Sequence, residues 1–390
     1  MSQPLSVLGN ITAEQFLNEY WQKKPLLVRQ AVPEVIDLLE PDDIKSLALE
    51  ENVTARLIQQ TGSLHDQWKV QSSPLSKKAF KNLPPYWTLL VQAIDHYSMD
   101  LSELWKKFHF IPQWRRDDIM VSYAPKGGSV GKHFDFYDVF LVQGFGARRW
   151  QLGQYCDENT KFIEGQPLKL LSEMDITFDE VLEPGDLLYV PPGLSHYGVA
   201  ENECLTYSFG FRMPNLAGII DRVSDHFADE QLFKNPVKDN ERSPNHAIGE
   251  ITAKELRTLK HQLIETLMHS DHFDHAVLSL MSEPKYPDNI PEPDELELED
   301  LLDLIGSTYT IQLEPASRLL YTQEDEKLMF WANGERLNIQ SETAVILKDI
   351  ADGQVLNFDA RFNHHSLLND LFPLINDSIL MLTSPEENEA

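Results

Sequence analysis

His133 and Asp135 stand two residues apart in the run GKHFDFYDVF, residues 131–140, which is otherwise largely aromatic and β-branched. If the run forms one strand, positions i and i+2 share a face, so the imidazole and the carboxylate point the same way. Neither belongs in an apolar interior unless something pairs it. A divalent first-row ion is one such partner, because neutral imidazole and carboxylate are both good ligands for it. Further on, PGDLLYVPPGLSHYGV carries His196 just beyond a turn that Pro191 and Pro192 make stiff. Two imidazoles and one carboxylate form the facial set that non-haem Fe(II) oxygenases use, with positions left open for a co-substrate and oxygen. His-x-Asp alone is a weak signal, and an ion pair on a strand is the simpler account. Joined to the Gly-x5-Pro-x-Gly-x2-His pattern of residues 185–196, it points to a metal centre of His133, Asp135 and His196. Fe(II) is expected ahead of Zn(II) or Mn(II), given the carboxylate and the open positions.

The elements that must position these residues are strands. From Asp118 to Arg212 the chain reads as DIMVSYAP, HFDFYDVFLVQ, RRWQLG, DITFDEVLEPGDLLYVPPG and CLTYSFGFR, punctuated by Gly- and Pro-rich turns, with no amphipathic helix of ordinary length between them. That pattern implies a sandwich or barrel. Before it, residues 1 to about 110 are mixed: ITAEQFLNEYW opens a helix with Thr12 as N-cap and Gln15 at the capping-box position, and PLLVRQA reads as a strand. After Met213-Pro214 a 3.6-residue period predicts helices over LAGIIDRVSDHFADEQLF and TAKELRTLKHQLIETLMHS, separated by the polar loop KNPVKDNERSPN. A Pro- and acid-rich linker is expected from Pro284 to Asp294. The remaining residues combine a hairpin-like LLYTQEDEKLMFWANGERLNI with the helical ETAVILKDIADG and LLNDLFPLIN, the order of a small winged-helix-like α+β domain. The expected regions are 1–212, 213–285 and 286–390.

Composition narrows the function. Among 390 residues, 42% are hydrophobic and 24% charged, as in a globular protein, and no apolar run approaches the ~20 residues of a membrane helix. The N-terminus lacks the basic start and apolar block of a signal peptide, and two cysteines make no disulfide framework, so a cytoplasmic location is expected. A formal net charge of −29 argues against direct nucleic-acid binding, which depends on neutralising phosphates, and favours a basic partner or simple solubility.

Gly185, Pro191, Gly193 and His196 match the second motif of the cupin superfamily, with Ala200 where that motif closes on Asn. Asp135 in the place of the second His of the first cupin motif is the Jumonji-C variant. The longer block WRRDDIMVSYAPKGGSVGKHFDFYDVFLVQGFGARRWQLG resembles the bacterial ribosomal oxygenase branch of the Jumonji-C family, with Lys132 where Pro is expected before the first ligand. The similarity extends over the chain, from FLNEYWQKKPLLVRQA to the winged-helix-like end. It implies a mainly β fold with α elements: a double-stranded β-helix (jelly-roll) catalytic domain, a helical dimerisation region and a winged-helix-like domain. It also implies an Fe(II)- and 2-oxoglutarate-dependent dioxygenase that hydroxylates an arginine of the sixteenth large-subunit ribosomal protein. The far carboxylate of 2-oxoglutarate needs a cation, and a guanidinium grips a carboxylate in bidentate fashion. Arg148 and Arg149 both stand on the next strand, and parity cannot be carried across the Gly144–Gly146 turn; the resemblance selects Arg148. Ser122 either adds a hydroxyl to the same carboxylate or is an ordinary strand serine.

Other residues carry less. Tyr137 shares the face of His133 and Asp135 and either lines the substrate channel or packs as an aromatic. His269, His272 and His275 have helical spacing and read as a solvated helix face. Trp150 and Leu328–Trp331 read as core. The stripes Leu216, Ile219, Ile220, Val223, Phe227 and Leu256, Leu259, Leu263, Leu267 must find cover, either on the barrel or, as the resemblance implies, across a two-fold homodimer. Two rivals stay open: the same chemistry on a histidine of another ribosomal protein, and a non-catalytic metal-binding cupin serving as an interaction module.

Overall fold

The computed structural model describes residues 3–36, 38–62, 66–212, 214–227, 234–240, 247–292 and 296–384. It divides into two compact units: the described residues of Met1–Met213 with Lys285–Glu292, and those of Pro214–Pro284 with the chain from 296 onward.

The first unit contains strands β1 (Leu26–Val28), β2 (Ala55–Thr61), β3 (Gln67–Ser72), β4 (Trp87–Val91), β5 (Arg116–Ala124), β6 (Asp138–Phe145), β7 (Arg148–Tyr155), β8 (Phe178–Leu182), β9 (Leu187–Val190), β10 (Leu194–Ala200) and β11 (Cys204–Phe211). They form an eight-stranded antiparallel sheet in the order β1-β9-β6-β11-β5-β4-β2-β3 and a three-stranded one in the order β10-β7-β8. Between the sheets, Val139 and Leu141 of β6 and Leu188 and Val190 of β9 meet Trp150 and Leu152 of β7, Leu182 of β8 and Leu194 of β10. This is the interior of the double-stranded β-helix.

The large sheet is covered on its other face too. Phe140, Val142, Tyr189, Phe209 and Phe211 alternate outward into a second core with Phe16, Trp105 and Phe108. Phe16 belongs to helix α1 (Ala13–Glu19), whose Thr12–Gln15 capping box forms as the sequence implies. Aromatic rings interlock there, with Phe108 and Phe209 at 4.7 Å and Phe16 and Phe140 at 5.7 Å between centroids. Burial on both faces is why β6 reads DVFLVQ rather than alternating polar and apolar. Helices α2 (Pro41–Leu47) and α3 (Met99–Glu103) complete the unit.

Two sequence expectations are corrected here. The run from His133 is not one strand: β6 begins at Asp138, and His133 to Tyr137 form an irregular approach with only a bridge between His133 and His196. The segment read as a linker from Pro284 is, over Lys285–Glu292, part of the first unit, with Asn289 Nδ2 and His96 Nδ1 3.1 Å apart. Residues 293–294 of that linker lie outside the described residues.

In the second unit, α4 (Leu216–Phe227), α5 (Ala253–Met268) and α6 (Asp271–Ser282) precede α7 (Leu298–Leu304). Residues 228–233 of the first expected helix and 241–245 of the following loop lie outside the described residues. Strands β12 (Thr310–Leu313), β13 (Leu319–Glu324), β14 (Lys327–Ala332) and β15 (Glu335–Leu337) follow, then α8 (Ser341–Ala351), β16 (Leu356–Asn357), α9 (His365–Asn376) and β17 (Leu380–Thr383). The hairpin β13–β14 pairs Glu324 with Lys327 and turns at Asp325, whose φ is +53°. Leu301, Ile311, Leu319, Phe330, Leu347 and Leu371 form its core. Among the described residues no helix is long and apolar enough to cross a membrane.

Candidate metal and co-substrate site

The turn from β9 to β10 builds half of the site. Gly193 has φ +78°, and a Cβ there would meet Cys156 O at 2.8 Å, so glycine fits and a side chain does not. Its N–H donates to Asp135 O at 2.7 Å, tying the turn to the other half. His133 N donates to His196 O at 3.1 Å, and His196 N to His133 O at 2.8 Å. The irregular approach to β6 is thus held by backbone bonds, and Gly131 admits a close pass: at φ +88°, a Cβ would stand 2.5 Å from Leu170 Cδ2.

These bonds bring His133, Asp135 and His196 together, although His133 and Asp135 share no strand. Asp135 Oδ2 lies 3.8 Å from His133 Nε2 and 3.6 Å from His196 Nε2, and the three ligand atoms lie within 4.8 Å of one another. One ion at about 2.1 Å from each donor would need only small side-chain shifts. Each imidazole is also oriented for it: His133 Nδ1 lies 3.0 Å from Gly131 O, and His196 Nδ1 lies 3.0 Å from Leu194 O. A carbonyl only accepts, so each Nδ1 carries the proton and each Nε2 presents a lone pair. Burial, and then His133, push the His196 pKa down to about 4, which keeps that ring neutral. Among the described residues this is the one His/Cys/Asp/Glu cluster compact enough to hold an ion.

A cavity of about 310 Å³ opens from the three ligand atoms. Strand β7 lends it alternate residues: Arg148 and Trp150 face in, while Arg149 faces out. Arg149 is half-exposed and forms a two-point pair with Asp179 at 2.6 and 2.8 Å. Arg148 is 2% exposed, and no carboxylate among the described residues lies within 4.0 Å of it. Its Nη2 meets only Cys204 Sγ at 3.5 Å, its Nε has no partner, and its guanidinium lies 5.9 Å from the Trp150 ring centroid. A lone buried cation costs several kcal/mol, so this position makes physical sense with an anion in the cavity. The residues present therefore fit a metal ion together with a small carboxylate ligand. Ser122 of β5 lines the same cavity, its Oγ 3.4 Å from Thr206 O.

Two carboxylates with two cations beside them also line the cavity: Asp117 and Asp118 stand there with Arg56 and Lys285, next to Gln92 and Tyr137. Asp118 Oδ2 accepts from Ala93 N at 2.9 Å, and burial pushes its carboxyl up to about 6. Sequence reasoning missed this group, yet a signal existed: along β5, Asp118, Met120 and Ser122 share one face by period two. Lys285 carried no signal, since it lies far along the chain in a Pro-rich stretch.

Other candidates separate clearly. Tyr137 lines the cavity, 39% exposed. Asp138 turns away and binds Tyr189 OH at 2.6 Å, Gln22 at 3.0 Å and Arg115 at 3.1 Å, a structural clamp on the N-terminal segment. Trp331 is core, but Trp150 is both core and cavity wall. Of the three spaced histidines only His269 is strongly exposed beside Glu265; His275 accepts a 2.7 Å bond from Trp331 Nε1 and packs on His226, which departs from a solvated face.

Comparison with known proteins agrees with this architecture. Residues 103–219 match the JmjC domain and residues 265–381 a ROXA-like winged helix. The chain is 44% identical over 368 residues to a protein of Haemophilus influenzae named a probable ribosomal oxygenase, covering 90% of this chain and 88% of that one. It is 30% identical to the ribosomal protein uL16 3-hydroxylase of Escherichia coli, over 93% of this chain and 95% of the relative. The solved structure of YcfD, a ribosomal oxygenase from Escherichia coli, in complex with cobalt and 2-oxoglutarate superposes with a TM-score of 0.83 at 29% identity, over 96% of this chain and 99% of that one. With its JmjC domain and its ROXA-like winged helix, this chain belongs to the ribosomal oxygenase family.

Proposed function

We propose that the chain is an Fe(II)- and 2-oxoglutarate-dependent hydroxylase with His133, Asp135 and His196 as metal ligands. Arg148, aided by Ser122, anchors the far carboxylate of 2-oxoglutarate. The substrate is an arginine of ribosomal protein uL16. The observation that carries the reading is the unpaired guanidinium of Arg148, buried in the same cavity as three metal-donor atoms. The cobalt and 2-oxoglutarate bound by YcfD and the name of the Escherichia coli relative support it. So do the carboxylates of Asp117 and Asp118, which suit a cationic side chain, and a net charge of −29 that favours encounter with a basic ribosomal protein.

When bound, iron with 2-oxoglutarate and oxygen supplies oxidative decarboxylation to succinate and carbon dioxide, with one oxygen atom delivered to a substrate C–H bond. The chain's own residues prepare that step. His133 and His196 keep their protons on Nδ1 and offer Nε2, and Asp135 adds a negative charge. Arg148 neutralises the co-substrate's second carboxylate where Val139, Leu141 and Trp150 exclude water. Asp117 and Asp118 hold the substrate's cation and so fix which carbon lies near the ligand set.

Assembly follows from the helices. Leu216 and Ile220 of α4 and Leu256, Leu259 and Leu263 of α5 remain exposed. A second copy covering them makes a homodimer, for which about 2,000 Å² of buried surface is typical. In this reading residues 1–212 are catalytic, 213–285 dimerise and 286–390 form the winged-helix-like region, in a cytoplasmic protein that does not bind nucleic acid directly.

The test is incubation of the iron-loaded protein with uL16 and 2-oxoglutarate. The expected result is stoichiometric succinate and a mass gain of one oxygen atom on a uL16 arginine. Succinate release with no change in uL16 would overturn the substrate; an oxygen gained on a histidine would move it to the rival residue.

A further inference from the structure

Lys285 stands against two carboxylates of the cavity. Its Nζ lies 2.6 Å from Asp117 Oδ2 and 3.3 Å from Asp118 Oδ1. The two carboxylates are nearly buried, with side chains 14% and 6% exposed, while Lys285 is 43% exposed. Burial alone would lower the pKa of Lys285, but Asp118 and Asp117 raise it, so the ammonium stays charged.

The two sides of this contact differ in rigidity. Asp118 is fixed: Oδ2 accepts from Ala93 N at 2.9 Å and, with the Gln92 amide in the orientation that satisfies both its atoms, from Gln92 at 2.9 Å. That leaves Oδ1 facing the cavity and Lys285. Lys285, by contrast, reaches in on a four-carbon stem that is 43% exposed, and its ammonium rests 5.1 Å from the Tyr286 ring centroid. A fixed carboxylate held by a half-exposed cation is an exchangeable contact.

We propose that Lys285 is an internal counter-cation that occupies Asp117 and Asp118 until the substrate guanidinium displaces it, and so sets the apparent affinity of the site for its cationic substrate. The inference rests on the reading of this cavity as the site for a protein arginine. Displacement is the cost of binding. A guanidinium brings five donors in a planar fork and can bond both carboxylates at once, which offsets it. Lys285 keeps the two carboxylates compensated while no substrate is bound. Because only the fraction with Lys285 released is competent, the apparent affinity for every cationic substrate is lowered by that fraction.

The experiment compares wild type, Lys285→Met, Lys285→Gln and Lys285→Arg on a uL16 peptide and on the same peptide with its target arginine replaced by lysine. In Lys285→Met, KM for the arginine peptide falls by about five- to tenfold while kcat changes by less than about twofold. KM for the lysine peptide falls by the same factor, because the released fraction is common to both, so the ratio of the two kcat/KM values is unchanged; a ratio that shifts several-fold would overturn the latch. Lys285→Gln follows in the same direction. Lys285→Arg keeps the charge but grips the acids more firmly, so KM rises; an unchanged KM there would reduce the effect to net charge and overturn the latch. In the wild-type holoenzyme, the arginine peptide should expose Lys285 to an amine-reactive label, and protection of Lys285 by the peptide would also overturn it. A wild type that leaves the arginine peptide unmodified sinks the substrate reading and the latch together. Hydroxylation by wild type with KM unchanged or raised in Lys285→Met sinks the latch alone.

Discussion

Between the two sheets of the barrel the apolar side chains are covered and the conspicuous residues are polar: His196 at 3% exposure, Arg148 at 2%, and Asp118 close behind. On α5 the reverse holds. None of its residues is buried, and Leu256, Leu259, Leu263, Ile264 and Met268 stand in the open. Each region breaks the usual partition in one direction, and each break points to something the chain alone does not supply. A buried charge without a partner calls for a small ligand. An uncovered apolar stripe calls for another surface. The helical region also contains its own control: Ile219, Val223, Phe227 and Leu267 do find cover against Ala276 and Phe273. The nine stripe residues read in the sequence therefore split, four covered within the unit and five left exposed.

The comparison can be broken first at the ligand set. Asp135→Ala should abolish turnover and most iron binding, and Asp135→Asn should fail nearly as badly because it removes charge as well as a donor. Metal content and succinate release check this, and retained decarboxylation by metal-depleted Asp135→Ala protein would end the oxygenase reading. Next in size is the pair of neighbouring arginines. Arg148→Ala should raise KM for 2-oxoglutarate by about tenfold or more, with partial recovery in Arg148→Lys. Arg149→Ala removes only exposed pairs with Asp179 and Glu201 and should leave that KM alone.

On the helical side, Leu259→Glu with Leu263→Glu should halve the mass seen by light scattering while each chain stays folded, since both residues are exposed on the single chain. A wild type with the mass of one chain would refute the dimer directly. The smallest effect lies in the second unit. Glu314 is 7% exposed, and burial pushes its carboxyl up to about 7. A raised acid destabilises the fold when ionised. That penalty is full above about pH 7 and fades as pH falls through 7 toward the unfolded value near 4.5. Glu314→Gln should therefore stabilise that unit at pH 8 by on the order of 2 kcal/mol, seen as a higher thermal midpoint, and change little near pH 4.5. Equal effects at both pH values would mean that titration is not the cause.

Much of this site was legible as residue types and motif spacing. His133, Asp135 and His196 are chemically distinctive, and the Pro-Pro-Gly turn before His196 marks a stiff strand exit whatever the rest of the fold does. Strand parity pointed to three residues that do lie together, but through a wrong local structure, because backbone bonds from His196 and Gly193, rather than a β-strand, orient the approach. Parity failed for Arg148 and Arg149 for a related reason, since a turn lay between the known face and the unknown one. Along β5, where no turn intervenes, the same parity links Asp118 to Ser122 and was available.

By itself the sequence determined which groups can do chemistry, where strands give way to helices, and that the chain is strongly acidic, because these depend on composition and on neighbours a few residues apart. Only the tertiary structure decided that Arg148 is buried with no carboxylate beside it among the described residues, that Asp117 and Asp118 face the same cavity, and that Lys285 closes on them. The reason is physical. Burial and ion pairing are set by what the chain brings back through space, and Asp118 and Lys285 meet across 167 positions of sequence with no local pattern to announce it.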